Sequence, residues 1–458
     1  MNRWADAADY GFHPEATGIE NAKALQRALD RGGTVTVSRP GLYKLAQTVY
    51  IGSNTSLIFG YGTTVQKVNE AGPFSHVLLN KGALTGSWDE HISIENLHIQ
   101  VNGMDIRTFR DVFGLHGQLA FFYARDVRIT GFRCLDLGSA QYGIHVCTFE
   151  DLLIQDTVIK GMKDGIHLGR GKRFRITDGR FDTYDDAIAL NGHDYDVGNP
   201  ELGWIEEGVI EHCYDLSGGE ENQPCVGYFC RILAGAWTDW RESMEVQKSD
   251  TVVSGGRLYR VKAEPDGQRY ISRTRPTHEQ GTAVLDGISW TMVQRDPVYT
   301  AGVRNVSFRH IYLHKARPAF SIHFDNDRFS RSYYPAAPVP RQEHLVFEQV
   351  RVLHSHPTPF LLINTPVDMV SILHSVLRDN VIRFTGNQAM EQYPPTTVQL
   401  TGCVFQKKGQ MLLVENEVDG KEIRLLTSGS VEMEENFSAV INQGTGAIRV
   451  HSDLRGLH

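Results

Sequence analysis

Three aspartates, Asp164, Asp185 and Asp186, lie in stretches otherwise built from Gly, Ile, Ala and Leu: "KDGIHL" and "YDDAIAL". The tetrads beside them recur. "GIHV" begins at Gly143, "GIHL" at Gly165 and "AIAL" at Ala187, at intervals of 165−143 = 22 and 187−165 = 22. One residue before each tetrad stand Tyr142, Asp164 and Asp186; one earlier still stand Gln141, Lys163 and Asp185. If the tetrads stack as neighbouring strands, about 4.8 Å separates each residue from its counterpart. Neighbours on a strand face opposite sides, so Asp185 and Asp186 can both face outward only if the chain bends over Tyr184–Asp186. Three carboxylates that close repel one another, and at least one is expected to hold a proton at neutral pH. A protonated carboxyl beside an ionised one is the acid and base pair that cleaves glycosidic bonds. An Asp ladder at turns, or a bound cation, would use the same pattern.

The elements that must position these residues follow from the same period. Residues 17–31, "TGIENAKALQRALDR", read as an amphipathic helix. Thr17 and Glu20 form a capping box, Ile19, Ala22, Leu25 and Leu29 mark the apolar face, and Gly32-Gly33 ends it. Beyond it, short runs alternate apolar and polar residues and stop at Gly, Asn or Asp, which marks strands with turns. Ile129, Ile154 and Ile176 keep similar step, 154−129 = 25 and 176−154 = 22. A period of 22–25 residues made of strands, without the Leu/Asn pattern of leucine-rich repeats, indicates an all-β solenoid. The expected fold is a single-stranded right-handed parallel β-helix, with the N-terminal α-helix capping its open end. Residues 244–296 break the period and are expected to form a small inserted β subdomain. The division is therefore 1–243, with capping helix and catalytic coils, then 244–296, then 297–458.

The aspartate pattern resembles that of glycoside hydrolase family 28, the polygalacturonase-type β-helix enzymes. Their core is Asn-Thr-Asp-Gly, then, one coil later, Gly-Asp-Asp, a small residue and Ile-Ala-Ile. Here the counterparts are "MKDGIHL" and "YDDAIAL". The opening "DYGFHPEATGIENAKALQRALDRGGTVTVSRPGLYKL" is similar to that of pectin-lyase-like proteins through Gly33-Thr34-Val35 and Pro40-Gly41-Leu42-Tyr43. The 244–296 segment resembles small β modules of phage tail fibres and tailspikes through Gly256, Tyr259, Pro276-Thr277, Gly281-Thr282, Asp286-Gly287 and Trp290. The family resemblance implies that Asp185 is the general acid, that Asp164 and Asp186 activate water, and that the anomeric configuration inverts.

The chain departs from that family at two motifs. Its Gly-His-Gly is missing, leaving His193 in "NGHDYD" and His212 in "IEHCYD" as candidates, and its Arg-Ile-Lys is reduced to Arg231-Ile232-Leu233. Arg231 keeps a bidentate fork for substrate oxygens or a carboxylate. His145 and His167, one coil apart, could line a cleft or point inward. Arg170, Lys172 and Arg173 could meet an acidic polysaccharide or simply form a solvated turn. Trp204, Trp237, Trp240 and Tyr195 could stack on sugar rings or pack in a core. The cluster around His323, Asp325, Asn326 and Asp327 is a weaker metal candidate, and no metal or cofactor is expected.

Composition bounds the rest. The chain has 458 residues, 41% hydrophobic and 22% charged, with a formal charge of −8. That balance, with a pI near 6.2, argues against nucleic acid as partner. No apolar run approaches the roughly 18 residues that span a bilayer, so no membrane partner is expected. The N-terminus does not read as a signal peptide, although a polysaccharide substrate would favour an extracellular or periplasmic location. Six cysteines without a CxxC pair read as buried thiols. The expected function is hydrolysis of O-glycosidic bonds in a neutral or acidic poly- or oligosaccharide. The rivals are a tailspike or capsule depolymerase, a lyase, and a non-catalytic glycan-binding solenoid. A homo-oligomer, a trimer included, is compatible with all of these.

Overall fold

A computed structural model describes residues 4–106, 110–195, 198–216, 226–262, 267–326, 330–386, 393–407, 409–433 and 438–454. The chain divides into two compact units, one of residues 1–189 and 208–227, the other of 190–207 and 228–458.

In the first unit the alternating runs stack as parallel strands. Val35, Leu57, Ile94, Ile129, Ile154 and Ile176 occupy one continuous register column. All six are buried, so each coil caps the apolar residue of the next. A second column runs Tyr43, Val65, Ile99, Cys134, Ile159 and Phe181 on another face. Because the strands pair with the neighbouring coil, every rung supplies hydrogen bonds to the one above and below. The chain is a parallel β-helix, and its architecture is nearly all strand.

The helix expected at the start is present as Gly18–Leu29. Thr17 Oγ1 accepts the Glu20 N–H at 3.2 Å, and the Glu20 carboxylate accepts the Thr17 N–H at 2.9 Å. Ala22, Leu25 and Leu29 are buried as expected, joined by Asn21, Ala24 and Ala28. Ile19 is only half-buried. The apolar face is thus wider than the sequence pattern suggested and is filled with alanine, which lets the helix approach the strands closely.

In the second unit, Phe308, Phe347, Ile372 and Leu400 form a register column, with the Phe308 and Phe347 rings stacked 5.0 Å apart. Strands Arg257–Val261, Thr282–Leu285 and Ile288–Gln294 instead pair antiparallel, as do Met244–Gln247 and Arg269–Ser272. They pack Tyr259 and Trp290 into a core shared with Trp237 and Trp240. Five cysteines, Cys134, Cys147, Cys213, Cys230 and Cys403, are buried free thiols; Cys225 lies outside the described residues. No described helix is long and apolar enough to cross a membrane.

Candidate active site

The first unit holds the aspartates. The Gly143 N–H donates to the Asp164 carbonyl at 3.0 Å, and the Gly165 N–H donates to the Asp186 carbonyl at 2.9 Å. Tyr142, Asp164 and Asp186 therefore follow one another on successive coils, 22 residues apart. Strand Arg180–Thr183 ends just before the pair, and the chain bends at Tyr184 and Asp185. The Thr183 hydroxyl secures that bend by donating to the Asp185 carbonyl at 2.9 Å. Gly227 closes over it. A Cβ there would come within 2.3 Å of the Asp185 carbonyl carbon and 2.4 Å of the Asp186 nitrogen.

One oxygen from each of Asp164, Asp185 and Asp186 lies within 4.8 Å of the others. Their environments differ. Asp164 is 4% exposed and Asp186 1%, whereas the Asp185 side chain is 20% exposed. A cation could bridge such a group, but the positive charge beside it is a side chain of the protein. Lys163 Nζ donates to Asp185 Oδ2 and lies 3.6 Å from Asp164 Oδ1. Burial alone would push this ammonium down; Asp164, Asp185 and Asp186 outweigh it and hold Lys163 above the ordinary lysine value. The repulsion inferred from the sequence is therefore offset in part.

Behind Asp164 stands a second layer of rings. His167 Nδ1 lies 3.0 Å from Asp164 Oδ2, and its ring stacks on Tyr142 at 4.2 Å and 6°. His145 meets His167 edge-on at 4.7 Å, while its Nδ1 accepts the His116 N–H at 3.0 Å. His145 and His167 are both fully buried. They point inward, so His167 touches the aspartate rather than the solvent face.

The other candidates are placed differently. Lys172 is drawn to Glu150 at 3.3 Å and Arg173 to Asp151 at 2.7 Å, in a surface charge cluster that also contains Arg125. Arg170 is half-buried and its carbonyl accepts the Thr148 N–H at 2.7 Å. His193, Arg231 and Trp237 belong to the second unit. Arg231 grips both oxygens of Asp325 at 3.2 and 3.0 Å and lies over the Tyr195 ring at 5.6 Å. Asp327 lies outside the described residues. His193 is fully buried, and burial, helped by Arg260, pushes it down to about 4. Trp237 is 1% exposed and donates its indole N–H to the Val298 carbonyl at 2.6 Å. Its ring is part of the buried core of the second unit.

Lys163 is the residue the sequence reading passed over. Its signal was present, since it stands 185−163 = 22 residues before Asp185, in the same column.

No family model matches this sequence, and no curated protein matches it either. Among solved structures it resembles the catalytic unit of the GH87 alpha-1,3-glucanase of Streptomyces thermodiastaticus, at 12% identity and a TM-score of 0.52. That match covers 98% of this chain and 70% of the other. It also resembles the family 28 exopolygalacturonase of Yersinia enterocolitica, at 11% identity and a TM-score of 0.51, covering 98% and 78%. The likeness is one of fold.

Proposed function

We propose that the protein is a glycoside hydrolase cleaving O-glycosidic bonds of a poly- or oligosaccharide at Asp164, Asp185 and Asp186. The observation that carries this is the unequal burial of three carboxylates within 4.8 Å of one another. Asp185, the one that reaches solvent, protonates the glycosidic oxygen as the bond from that oxygen to the anomeric carbon breaks. Asp164 or Asp186 takes a proton from the water that attacks the carbon. His167 holds Asp164, and its N–H favours the ionised carboxylate. The two solved structures of similar fold are named as glycosidases, which agrees with this chemistry.

Two considerations pull apart on stereochemistry. Carboxyls only about 5 Å apart usually go with retention, while inverting pairs stand about 6.5–9.5 Å apart. A retaining nucleophile, however, must touch the anomeric carbon, and Asp164 and Asp186 are 4% and 1% exposed. This burial favours water activation and inversion in the reading proposed here.

The test is digestion of a panel of neutral and acidic glycans, with the anomer of the first product read by NMR. Wild type should release an inverted reducing end. The Asp185→Asn variant should lose at least about 100-fold in turnover while retaining glycan binding. Unchanged turnover in that variant removes this site; products with an unsaturated uronate chromophore establish a lyase instead.

A further inference from the structure

Both oxygens of Asp185 are already engaged. Oδ1 accepts the Asp186 N–H at 3.1 Å, and Oδ2 accepts from Lys163 Nζ. With Oδ1 turned back on its own backbone, the donated proton is placed on Oδ2. An ammonium has three N–H donors and no acceptor, and a carboxyl hydroxyl accepts from it poorly. The Lys163 contact and a proton on Oδ2 therefore exclude each other. Lys163 has somewhere else to go: Asp164 Oδ1 lies 3.6 Å from its Nζ, and the Tyr142 ring 5.8 Å away flanks the path.

We propose that Lys163 is a positioning residue which holds Asp185 ionised and aimed in the resting site, and which releases it by turning to Asp164. This rests on the hydrolase reading. Lys163 keeps its three protons throughout. Asp185 takes one proton from solvent and passes it to the leaving oxygen. The ammonium, now beside Asp164, keeps that carboxylate ionised for the attacking water. One short movement thus assigns acid and base among three like groups. The charged and titratable groups facing Lys163 are Asp164, Asp185 and Asp186, with Tyr142 from the preceding coil and His167 behind Asp164. Tyr184 leads into the bend, and Lys160 pairs with Asp182 at 3.5 Å on the adjoining strands.

The experiment replaces Lys163 by Met, which keeps the stem without charge, by Gln, a second neutral variant, and by Arg, which keeps the charge. The Asp185 carboxyl is titrated directly by carbon NMR, assigned against the Asp185→Asn protein. Lys163→Met or Lys163→Gln, whichever folds, should raise the proton affinity of Asp185 about tenfold or more. The alkaline limb of kcat/KM should move upward by the same amount, and Lys163→Arg should restore both. An unshifted Asp185 titration in a folded neutral variant overturns the assignment, as does a rate loss without any movement of the limb. If the titration shifts but wild type cleaves no glycan, the hydrolase reading fails and the Lys163–Asp185 coupling stands.

Discussion

At Asp164 the imidazole of His167 lies 3.0 Å from Oδ2 inside a buried wall, and under the proposed reaction it donates a charge-assisted hydrogen bond to the carboxylate. Such bonds are worth about 1.5–3 kcal/mol. His167→Phe keeps a flat ring against Tyr142 but deletes the donor, so the carboxylate should hold its proton more tightly. The expected result is a lower kcat with little change in KM, and an acidic limb of the rate profile displaced to higher pH. A simultaneous rise in KM would show that His167 meets substrate instead. Gly227 is the second test at this scale. Gly227→Ala pushes a methyl into the Asp185–Asp186 backbone, where overpacking costs about 1–3 kcal/mol. Denaturant titration should register that loss, and turnover should fall further than stability alone explains because the acid is displaced.

At the scale of elements, the capping box of the helix Gly18–Leu29 is far in sequence from the aspartates. Thr17→Ala removes the side-chain acceptor for the Glu20 N–H and should cost about 1 kcal/mol in chemical denaturation, with turnover unchanged. The rung at Gly165 is the opposite case. A Cβ there would stand 2.6 Å from the Ala187 carbonyl oxygen and 2.9 Å from Phe181 Cδ1. Gly165→Val should therefore separate the two coils that bear Asp164 and Asp186, and abolish activity even in protein that still gives a strand-rich circular dichroism spectrum. The repeat pattern made these coils legible, since Gly143, Gly165 and Ala187 mark each rung by a small residue. It did not reveal the helix's alanine face, because a half-buried Ile19 and a buried Ala24 depend on what the helix meets.

For the molecule as a whole, each unit buries a histidine that must stay neutral. Burial, the largest influence, pushes His76 in the first unit and His193 in the second down to about 4. The unfolded chain takes up these protons near pH 6.5, so between about 6.5 and 4 it binds more protons than the folded chain. Stability is then complete above about pH 6.5 and falls as the pH drops toward 4, by at most about 3 kcal/mol per histidine. Denaturation midpoints measured at pH 7 and pH 4.5 should show this decline. Replacing both histidines by Gln should flatten it, and an unchanged slope would assign acid sensitivity to other groups.

The sequence by itself determined the β-helix, its rung spacing and the stacking of Asp164 over Asp186. A 22-residue period maps directly onto strand register, and register needs no knowledge of side-chain direction. Only the tertiary structure decided where the side chains point. It turned His167 inward onto Asp164, drew Lys172 to Glu150, buried Trp237, and laid Lys163 across Asp185. Each of these outcomes depends on which partner lies within a few ångströms across coils, and alternation along one strand carries no such information.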